Sequence, residues 1–449
     1  MFSDRTNWKL TTNRFTQAVE EARLRGERLF DLTVSNPTRA GLKYDERAIL
    51  AALASPRALD YDPQSKGLLA AREAVAEYYR AQPAVREIDP ERIVLTTSTS
   101  EGYSFVFRLL CNAGDELLVP KPSYPLFEFL ADLQDVKLVG YPLIYDHGWQ
   151  MDFPSLEKAA TERTRGVVVV HPNNPTGSYV SAGERELLNE FCRERGLAVI
   201  VDEVFLDYRL DGDAGTSKGN VETAAHSTSS GHALGRLIER SSTGSGEGDL
   251  RSLHTPVDRH SPVHRLGRDD KTEEYASFVK NEDVLTFTLS GLSKISALPQ
   301  MKVAWVVTSG PEQIVESAVG RLEVIADTYL SMNAPMQWAL PVLLEQRKGI
   351  QRQLMDRVKR NLAELDLNLA AQKACERLSV EGGWYAVLRI PVTQSDEDLA
   401  IELVREKSVL VHPGHFFDFP RDGYLVLSLI SVAADFDEGV RAILERMNL

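Results

Sequence analysis

Short apolar runs rich in valine, isoleucine and leucine alternate with helical stretches between about residues 44 and 309. Most of these runs lack alternating polar residues, which is typical of strands that are buried on both faces of a sheet. The stretches between them repeat apolar residues at helical spacing. The pattern predicts an α/β fold in three layers, with helices on both faces of a mostly parallel sheet. Strands are predicted at residues 93–97, 116–119, 137–141, 166–170, 198–201, 284–289 and 303–307.

A second group of predicted elements follows Pro341. A long helix-compatible stretch at 346–370 leads to a set of shorter strands and helices. Because a chain of 449 residues is too long for one ordinary core, two domains are expected. We expect residues 46–340 to form a large α/β domain, and residues 1–45 together with 341–449 to form a smaller α+β domain.

The segment between about residues 213 and 274 interrupts the α/β pattern. It is rich in glycine, serine, threonine and charged residues and has almost no apolar periodicity, which predicts a disordered surface insertion. Five of the nine histidines lie in it, but their spacings match no compact pattern of metal ligands. No metal site is therefore expected.

The net charge of -14 limits the classes of partner. An acidic chain without a lysine or arginine stripe repels phosphate backbones and anionic lipid, so neither nucleic acid nor a membrane is an expected partner. The first ten residues lack the apolar core of a signal peptide, and the three cysteines are isolated from one another. These features predict a cytoplasmic location.

The strongest local signal is the run SGLSK, which ends at Lys294 and directly follows a predicted buried strand. Open α/β sheets bind ligands at the carboxyl ends of their strands. A lone lysine in this position usually caps the strand and reaches solvent. In a partly desolvated pocket, by contrast, the pKa of the amine is lowered and the amine can form a Schiff base with an aldehyde cofactor. The neighbouring motifs decide between these two interpretations.

Two further motifs follow predicted strands of the same sheet. The run HPNNPTG, residues 171–177, follows one strand, and VDEVF, residues 201–205, ends the next. In this order, together with SGLSK, they resemble the fold type I enzymes that depend on pyridoxal phosphate (PLP), specifically the class I/II aminotransferases. The resemblance covers most of the chain outside the insertion.

The resemblance implies roles for three of these residues. Lys294 would carry PLP as a Schiff base and move a proton during the reaction. Asp202 would keep the pyridine nitrogen protonated, although a helix or turn cap would also explain an aspartate there. Asn174 would bond the ring hydroxyl oxygen, although a plain Asn-Pro turn would also explain an asparagine.

The remaining cofactor contacts are also implied by the resemblance. Ser98, Thr99 and Ser100 lie between a strand and a helix and would bind the phosphate, although helix capping alone also explains these hydroxyls. Tyr124 would stack on the pyridine ring. Tyr61 matches a tyrosine that reaches the phosphate of a neighbouring subunit, which implies a homodimer.

The sequence departs from the family at three cofactor positions. Lys302 stands where the family has a phosphate-binding arginine, and lysine lacks the bidentate fork of the guanidinium. A glycine replaces the serine three residues before the lysine, so Ser290 or Ser293 would have to supply that hydroxyl. Phe205 replaces a tyrosine on the ring oxygen, which leaves Asn174 as its partner unless Tyr208 takes part.

A fourth departure concerns the substrate. Val426 stands where the family places the arginine that holds the substrate α-carboxylate. Either another cation holds the carboxylate, with Arg39, Lys43 and Arg421 as candidates, or the amine substrate has no α-carboxylate. The segment that contains Asn36 is expected at the substrate entrance. The run HPGHFFDF, residues 412–419, adds an aromatic wall, although core packing would also explain it.

The function that these residues predict is a PLP-dependent aminotransferase. It would transfer an amino group between an amino acid and a 2-oxo acid in a ping-pong reaction. The same cofactor chemistry also serves elimination lyases, racemases and cyclising synthases, and the missing arginine favours such a reaction somewhat. A non-catalytic PLP-binding regulator or interaction protein is a further alternative.

Overall fold

The computed structural model describes residues 1–8, 10–82, 85, 87–125, 127–210, 276–330 and 332–448. The strands in chain order are β1 (Phe30–Asp31), β2 (Ile93–Thr96), β3 (Glu116–Lys121), β4 (Lys137–Tyr145), β5 (Trp149–Met151), β6 (Thr164–Val170), β7 (Ala198–Asp202), β8 (Thr286–Gly291), β9 (Ala304–Ser309), β10 (Glu376–Arg377), β11 (Tyr385–Arg389), β12 (Val409–Leu410), β13 (His412–Pro413) and β14 (Tyr424–Ser428). The α-helices are α1 (Arg14–Leu24), α2 (Glu46–Leu53), α3 (Leu69–Arg80), α4 (Thr99–Leu110), α5 (Phe127–Asp132), α6 (Phe153–Ala159), α7 (Ala182–Arg195), α8 (Leu292–Ile295), α9 (Glu312–Tyr329), α10 (Ala334–Glu345), α11 (Arg347–Ala370), α12 (Asp396–Lys407) and α13 (Ala433–Met447).

Eight of the described strands form one sheet in the order β2-β9-β8-β7-β6-β3-β4-β5. The pairs β8·β7, β7·β6, β6·β3 and β3·β4 are parallel, whereas β9 is antiparallel to both β2 and β8. All seven predicted strands lie in this sheet, so the predicted α/β fold class is confirmed. Since β2, β6, β7 and β8 run in the same direction, the residues that follow them meet at one edge of the sheet.

Apolar side chains fill both faces of this sheet, as the strand pattern requires. On one face, Val94, Ile200 and Phe287 pack with the helices α4 and α9 in a single core. On the other face, Val167, Val199 and residues of α7 form another. The strands are thus buried on both sides, which explains why their sequences lack polar alternation.

A second sheet lies among the C-terminal elements. Its described strands are all antiparallel and follow the order β10-β11-β14-β13, and α11 packs against α13 beside it. The N-terminal segment joins this part of the chain, because β1 pairs with β12 in parallel. All described residues nevertheless belong to one compact unit. The division into domains of 46–340 and 1–45 with 341–449 therefore stays a prediction.

The last points concern the predicted insertion and membrane-spanning helices. The predicted insertion, residues 213–274, lies outside the residues that the structure describes. No helix in the described ranges has both the length and the apolar character needed to cross a bilayer.

Candidate active site

The carboxyl ends of β2, β6, β7 and β8 border a cavity of about 360 Å³. This volume lies in the range of small-molecule sites, about 300–1,000 Å³. Seven of the predicted site residues line it: Thr99, Ser100, Tyr124, Asn174, Asp202, Ser293 and Lys294. Motifs that are distant in the sequence thus meet at the sheet edge, as the strand order predicts.

The amine of Lys294 lies between aromatic rings. Lys294 is part of the one-turn helix α8, directly after β8, and its Nζ is 5.2 Å from the ring centre of Trp384 and 5.7 Å from that of Phe205. Burial lowers the pKa of the amine to about 8, and the nearby charge of Asp202 opposes this shift. Lys294 is thus partly buried in the wall of the cavity, unlike a lone lysine that caps a strand and extends into solvent.

Side chains from three other segments fix the backbone around Lys294. Tyr208 donates its hydroxyl to the carbonyl of Lys294 at 2.6 Å, and Gln351 donates to the carbonyl of Ile295 at 2.9 Å. Tyr44 donates to the carbonyl of Ala297 at 2.8 Å. These bonds add side-chain donors to carbonyl groups in and just after the one-turn helix. Because the Tyr208 hydroxyl donates to the backbone of Lys294, it does not take the place of the family tyrosine that Phe205 replaces.

The carboxylate of Asp202 is held at the end of β7. It accepts hydrogen bonds from the backbone N–H of Val204 at 3.0 Å and from the hydroxyl of Tyr103 at 3.1 Å. Burial raises its pKa to about 6, while both hydrogen bonds and the charge of Lys294 act in the opposite direction. A cationic partner in the cavity would therefore stabilise the ionised form.

The residues around the cavity offer partners for the polar groups of PLP. The amide oxygen of Asn174 is buried and has no hydrogen-bond partner among the described residues, so this carboxamide is available to a ligand. Thr99 and Ser100 line the cavity at the first turn of α4, where backbone N–H groups lack partners within the helix. An anionic group at the helix, a hydroxyl at Asn174 and a ring nitrogen at Asp202 would each find a complementary partner.

Four of the predicted cofactor residues do not line the cavity. Ser98 caps α4 by accepting from the backbone N–H of Glu101, as the capping interpretation predicts. Ser290 is buried and donates to the carbonyl of Glu203, so Ser293 is the serine of this run that faces the cavity. Lys302 is exposed, and Tyr61 is 83% exposed.

The residues predicted to hold the substrate also lie elsewhere. Asn36 caps the short helix Pro37–Arg39 by accepting from Thr38, and its neighbour Ser35 lines the cavity instead. Arg39 is exposed and is not part of the cavity wall. Arg421 donates to the hydroxyl of Tyr424 at 3.4 Å. Arg39, Lys43 and Arg421 are absent from the described lining of the cavity, so relocation of the carboxylate-binding cation to one of them stays a prediction.

The C-terminal aromatic run contributes to the cavity as predicted, because His412, Phe416 and Phe417 line it. Sequence reasoning missed Tyr103 and Trp384. Tyr103 lies four residues after Thr99 on the same helix, so helical spacing could have indicated it. Trp384 packs beside Lys294 only through the tertiary fold, and no local pattern identifies such a contact.

The comparison with known families agrees with this fold and site. Residues 7–233 and 263–443 match the family described as "Aminotransferase class I and II". The match covers most of the chain, so the chain belongs to the class I and II aminotransferase family. It is an enzyme of that family with the type I fold, and the predicted aminotransferase activity is confirmed at this level.

Individual relatives are distant. The chain is similar to an alanine aminotransferase of Mycobacterium tuberculosis, with 25% identity over 433 residues, 94% of this chain and 85% of the relative. It is also similar to an S-alkyl-thiohydroximate lyase of Arabidopsis thaliana, with 24% identity over 82% of this chain and 69% of the relative. Among solved structures, an alanine aminotransferase from Pyrococcus furiosus has a TM-score of 0.79 and 20% identity, and each chain is fully covered.

Proposed function

We propose that this enzyme transfers an amino group between an amino acid and a 2-oxo acid with PLP bound covalently through Lys294. The observation that carries the proposal is the pair Lys294 and Asp202 in one cavity. Burial brings the pKa of the amine down to about 8 and that of the acid up to about 6. An amine that loses its proton near neutral pH is the form that condenses with an aldehyde.

Each part of the cofactor has a proposed partner. Asp202 would hold the pyridine nitrogen, Asn174 the ring hydroxyl and Tyr124 one face of the ring. Thr99, Ser100 and Ser293, with the first turn of α4, would bind the phosphate. When bound, PLP withdraws electrons from the substrate carbon that bears the amino group, so that the hydrogen on that carbon becomes acidic.

The residues of the chain would then perform the proton transfer. Lys294 Nζ is the lysine amine that lines the cavity. Near pH 8 about half of the molecules carry this amine in its neutral form, which can accept a proton. Phe205 and Trp384 pack beside the amine and exclude water from it. A dry environment favours the neutral amine and protects the reacting carbon from stray protonation.

A homodimer and a cytoplasmic location are also proposed. Tyr61 is 83% exposed, as expected of a residue that would contact the phosphate in a neighbouring subunit. Lys302, which stands where the family has a phosphate-binding arginine, is proposed as a cation for the phosphate of the cofactor on Lys294. Cys111, Cys192 and Cys375 are free thiols, which is typical of a reducing compartment.

A second candidate function is an elimination reaction on the same cofactor. The substitution of valine for arginine at Val426 and the likeness to a lyase favour it. The two reactions differ in the fate of the cofactor: transamination leaves it aminated as pyridoxamine phosphate, whereas elimination regenerates PLP and releases ammonia.

Analysis of the cofactor and the products after mixing with amino acids tests the proposed function. The PLP-loaded enzyme is mixed with single amino acids from a panel, and pyridoxamine phosphate, ammonia and 2-oxo acid are quantified by mass spectrometry. We expect one donor to convert the cofactor to pyridoxamine phosphate, and a 2-oxo acid to reverse the conversion. Release of ammonia with PLP retained would instead establish elimination. Lys294→Ala serves as the inactive control.

A further inference from the structure

One polar side chain of the cavity has no proposed role in cofactor binding. His412, the first residue of β13, lines the cavity together with Tyr124 and Lys294. Its Nδ1 atom is buried and has no hydrogen-bond partner in the described part of the chain. Because buried polar atoms are nearly always paired, an unpaired one at the wall of a cavity indicates a ligand contact.

The strand register relates this histidine to the missing arginine. His412 is directly opposite Val426 in the ladder between β13 and β14. Residues opposite each other in an antiparallel pair place their side chains on the same face, with Cβ atoms about 4.5–5.5 Å apart. Val426 stands where the family resemblance places the carboxylate-binding arginine. The imidazole is therefore the immediate cross-strand neighbour of that position.

The cavity offers a carboxylate few other partners. Among the described lining residues, Lys294 is the one lysine or arginine, and it is assigned to the cofactor. The other titratable groups that line the cavity are Asp202, Tyr124 and Tyr385, and none of them is a cation. A carboxylate without a charged or hydrogen-bonded partner in such a site is costly.

We propose that His412 recognises the α-carboxylate of the substrate in place of the arginine, and that it takes up a proton as the carboxylate binds. This proposal rests on the proposed function, because it assigns the carboxylate of the same amino acid. In the imidazolium both ring nitrogens donate, so Nδ1 can donate to the carboxylate.

The surroundings of His412 are consistent with proton uptake on binding. Burial lowers the pKa of the free imidazole to about 4, so it is neutral near pH 7. The charge of Asp31 and a hydrogen bond with the backbone of Thr33 both act to raise that pKa. A bound carboxylate would add a second negative charge and raise it further. Affinity for a carboxylate should therefore fall as pH rises from about 4, the pKa of the free imidazole, to the higher pKa of the complex.

Calorimetry on the PLP-loaded enzyme tests this proposal without turnover. The probes are 3-phenylpropanoate, which has a carboxylate but no amine, and its neutral amide. Titrations at pH 7.5 in buffers of different ionisation enthalpy count the protons taken up. We expect uptake of about one proton with the carboxylate and none with the amide, and an affinity that falls up to about tenfold per pH unit.

His412→Gln keeps a hydrogen-bonding side chain but cannot be protonated. We expect it to abolish the proton uptake and to weaken carboxylate binding at pH 7.5 by about tenfold. His412→Asn is a second such variant, and His415→Gln, at an exposed histidine three residues away, should bind as the unmodified enzyme does. The cofactor absorption band checks that each variant is folded and loaded.

Three results would overturn the role of His412: no binding of 3-phenylpropanoate, binding without proton uptake, or uptake that persists in His412→Gln. None of them bears on amino-group transfer, which is measured by formation of pyridoxamine phosphate. Conversely, elimination in place of transamination would refute the proposed function and leave the calorimetric result for His412 intact.

Discussion

The two walls of the cavity differ in how far the protein itself satisfies their polar groups. At the edge of the large sheet, the Asp202 carboxylate accepts two hydrogen bonds, and the backbone of Lys294 is fixed by Tyr208. On the small-sheet side, His412 Nδ1 and the indole nitrogen of Trp384 have no partners among the described residues. The cofactor wall is thus held largely by the protein's own hydrogen bonds, with the amide oxygen of Asn174 left for a ligand, whereas these two nitrogens of the opposite wall lack partners in the described part of the chain.

This difference follows from the elements that build each wall. The groups at the large sheet follow strands of four to seven residues that are buried on both faces. The small-sheet wall depends on β13, which has two residues, and on the turn that follows it. A long strand that is buried on both faces fixes the position of the residues at its end. A two-residue strand constrains its neighbours less, so the substrate-binding residues there can differ more between relatives. Substitutions on the two walls should therefore differ in their effects.

Removing the amine of Lys294 should have the largest effect. In Lys294→Ala, covalent attachment of the cofactor is lost, and turnover should fall by about 10⁴-fold or more because the proton-transfer group is also lost. The measurement is the steady-state rate together with the cofactor absorption band. Lys280→Ala, at a lysine outside the cavity, should retain both. Residual activity within tenfold of the unmodified enzyme would contradict the account.

Removing the charge of Asp202 should have the next largest effect. Asp202→Asn keeps the shape of the side chain but loses the negative charge at the ring nitrogen, so turnover should fall by about 10²- to 10³-fold. Cofactor affinity, measured by equilibrium dialysis, should fall as well. Asp283→Asn, at an aspartate that does not line this cavity, is the control. Equal rates for the two variants would refute the role of Asp202.

The buried amine should destabilise the cofactor-free protein. Its pKa is about 8 in the folded chain, against 10.5 for an ordinary lysine side chain in water, so the unfolded state binds more protons between these values and stability rises with pH across that window. At pH 7, Lys294→Met should raise the free energy of unfolding by about 3 kcal/mol. Urea unfolding should show this gain shrinking from pH 8 upward and vanishing near pH 10.5. A gain that is constant with pH would contradict the assignment.

The smallest expected effect concerns the hydroxyl that supports Asp202. Tyr103→Phe removes one hydrogen bond to the carboxylate, so cofactor affinity should fall by about five- to tenfold. Phe416→Leu, on the opposite wall, should leave cofactor affinity unchanged. A larger effect from Phe416→Leu would show that the two walls are not independent.

The sequence predicted the cofactor wall better than the substrate wall for a physical reason. Asp202 ends one apolar strand, and Asn174 and Lys294 lie a few residues beyond the ends of two others, so the direction of the strands brings these residues together. Ser290 and Ser293 could not be separated in the sequence, because only the local geometry of β8 and α8 decides which hydroxyl faces the cavity.

The substrate wall depends on contacts between distant parts of the chain. Nothing in the local sequence places His412 opposite Val426, because register between two strands depends on the turn that connects them. Arg39 and Arg421 were candidates because their segments were expected near the substrate. Both side chains are exposed, since the exact position of a residue in a loop decides whether it faces the site or the solvent. The contact between Trp384 and Lys294 likewise joins distant parts of the chain, because Trp384 lies just before β11.

Chemical reduction is the most direct test of covalent PLP attachment to Lys294. The purified enzyme is loaded with PLP, reduced with sodium borohydride to trap any Schiff base, digested, and mapped by mass spectrometry. We expect a phosphopyridoxyl group on Lys294 and on no other lysine. Modification of a different lysine, or none in protein that holds the cofactor, would contradict it.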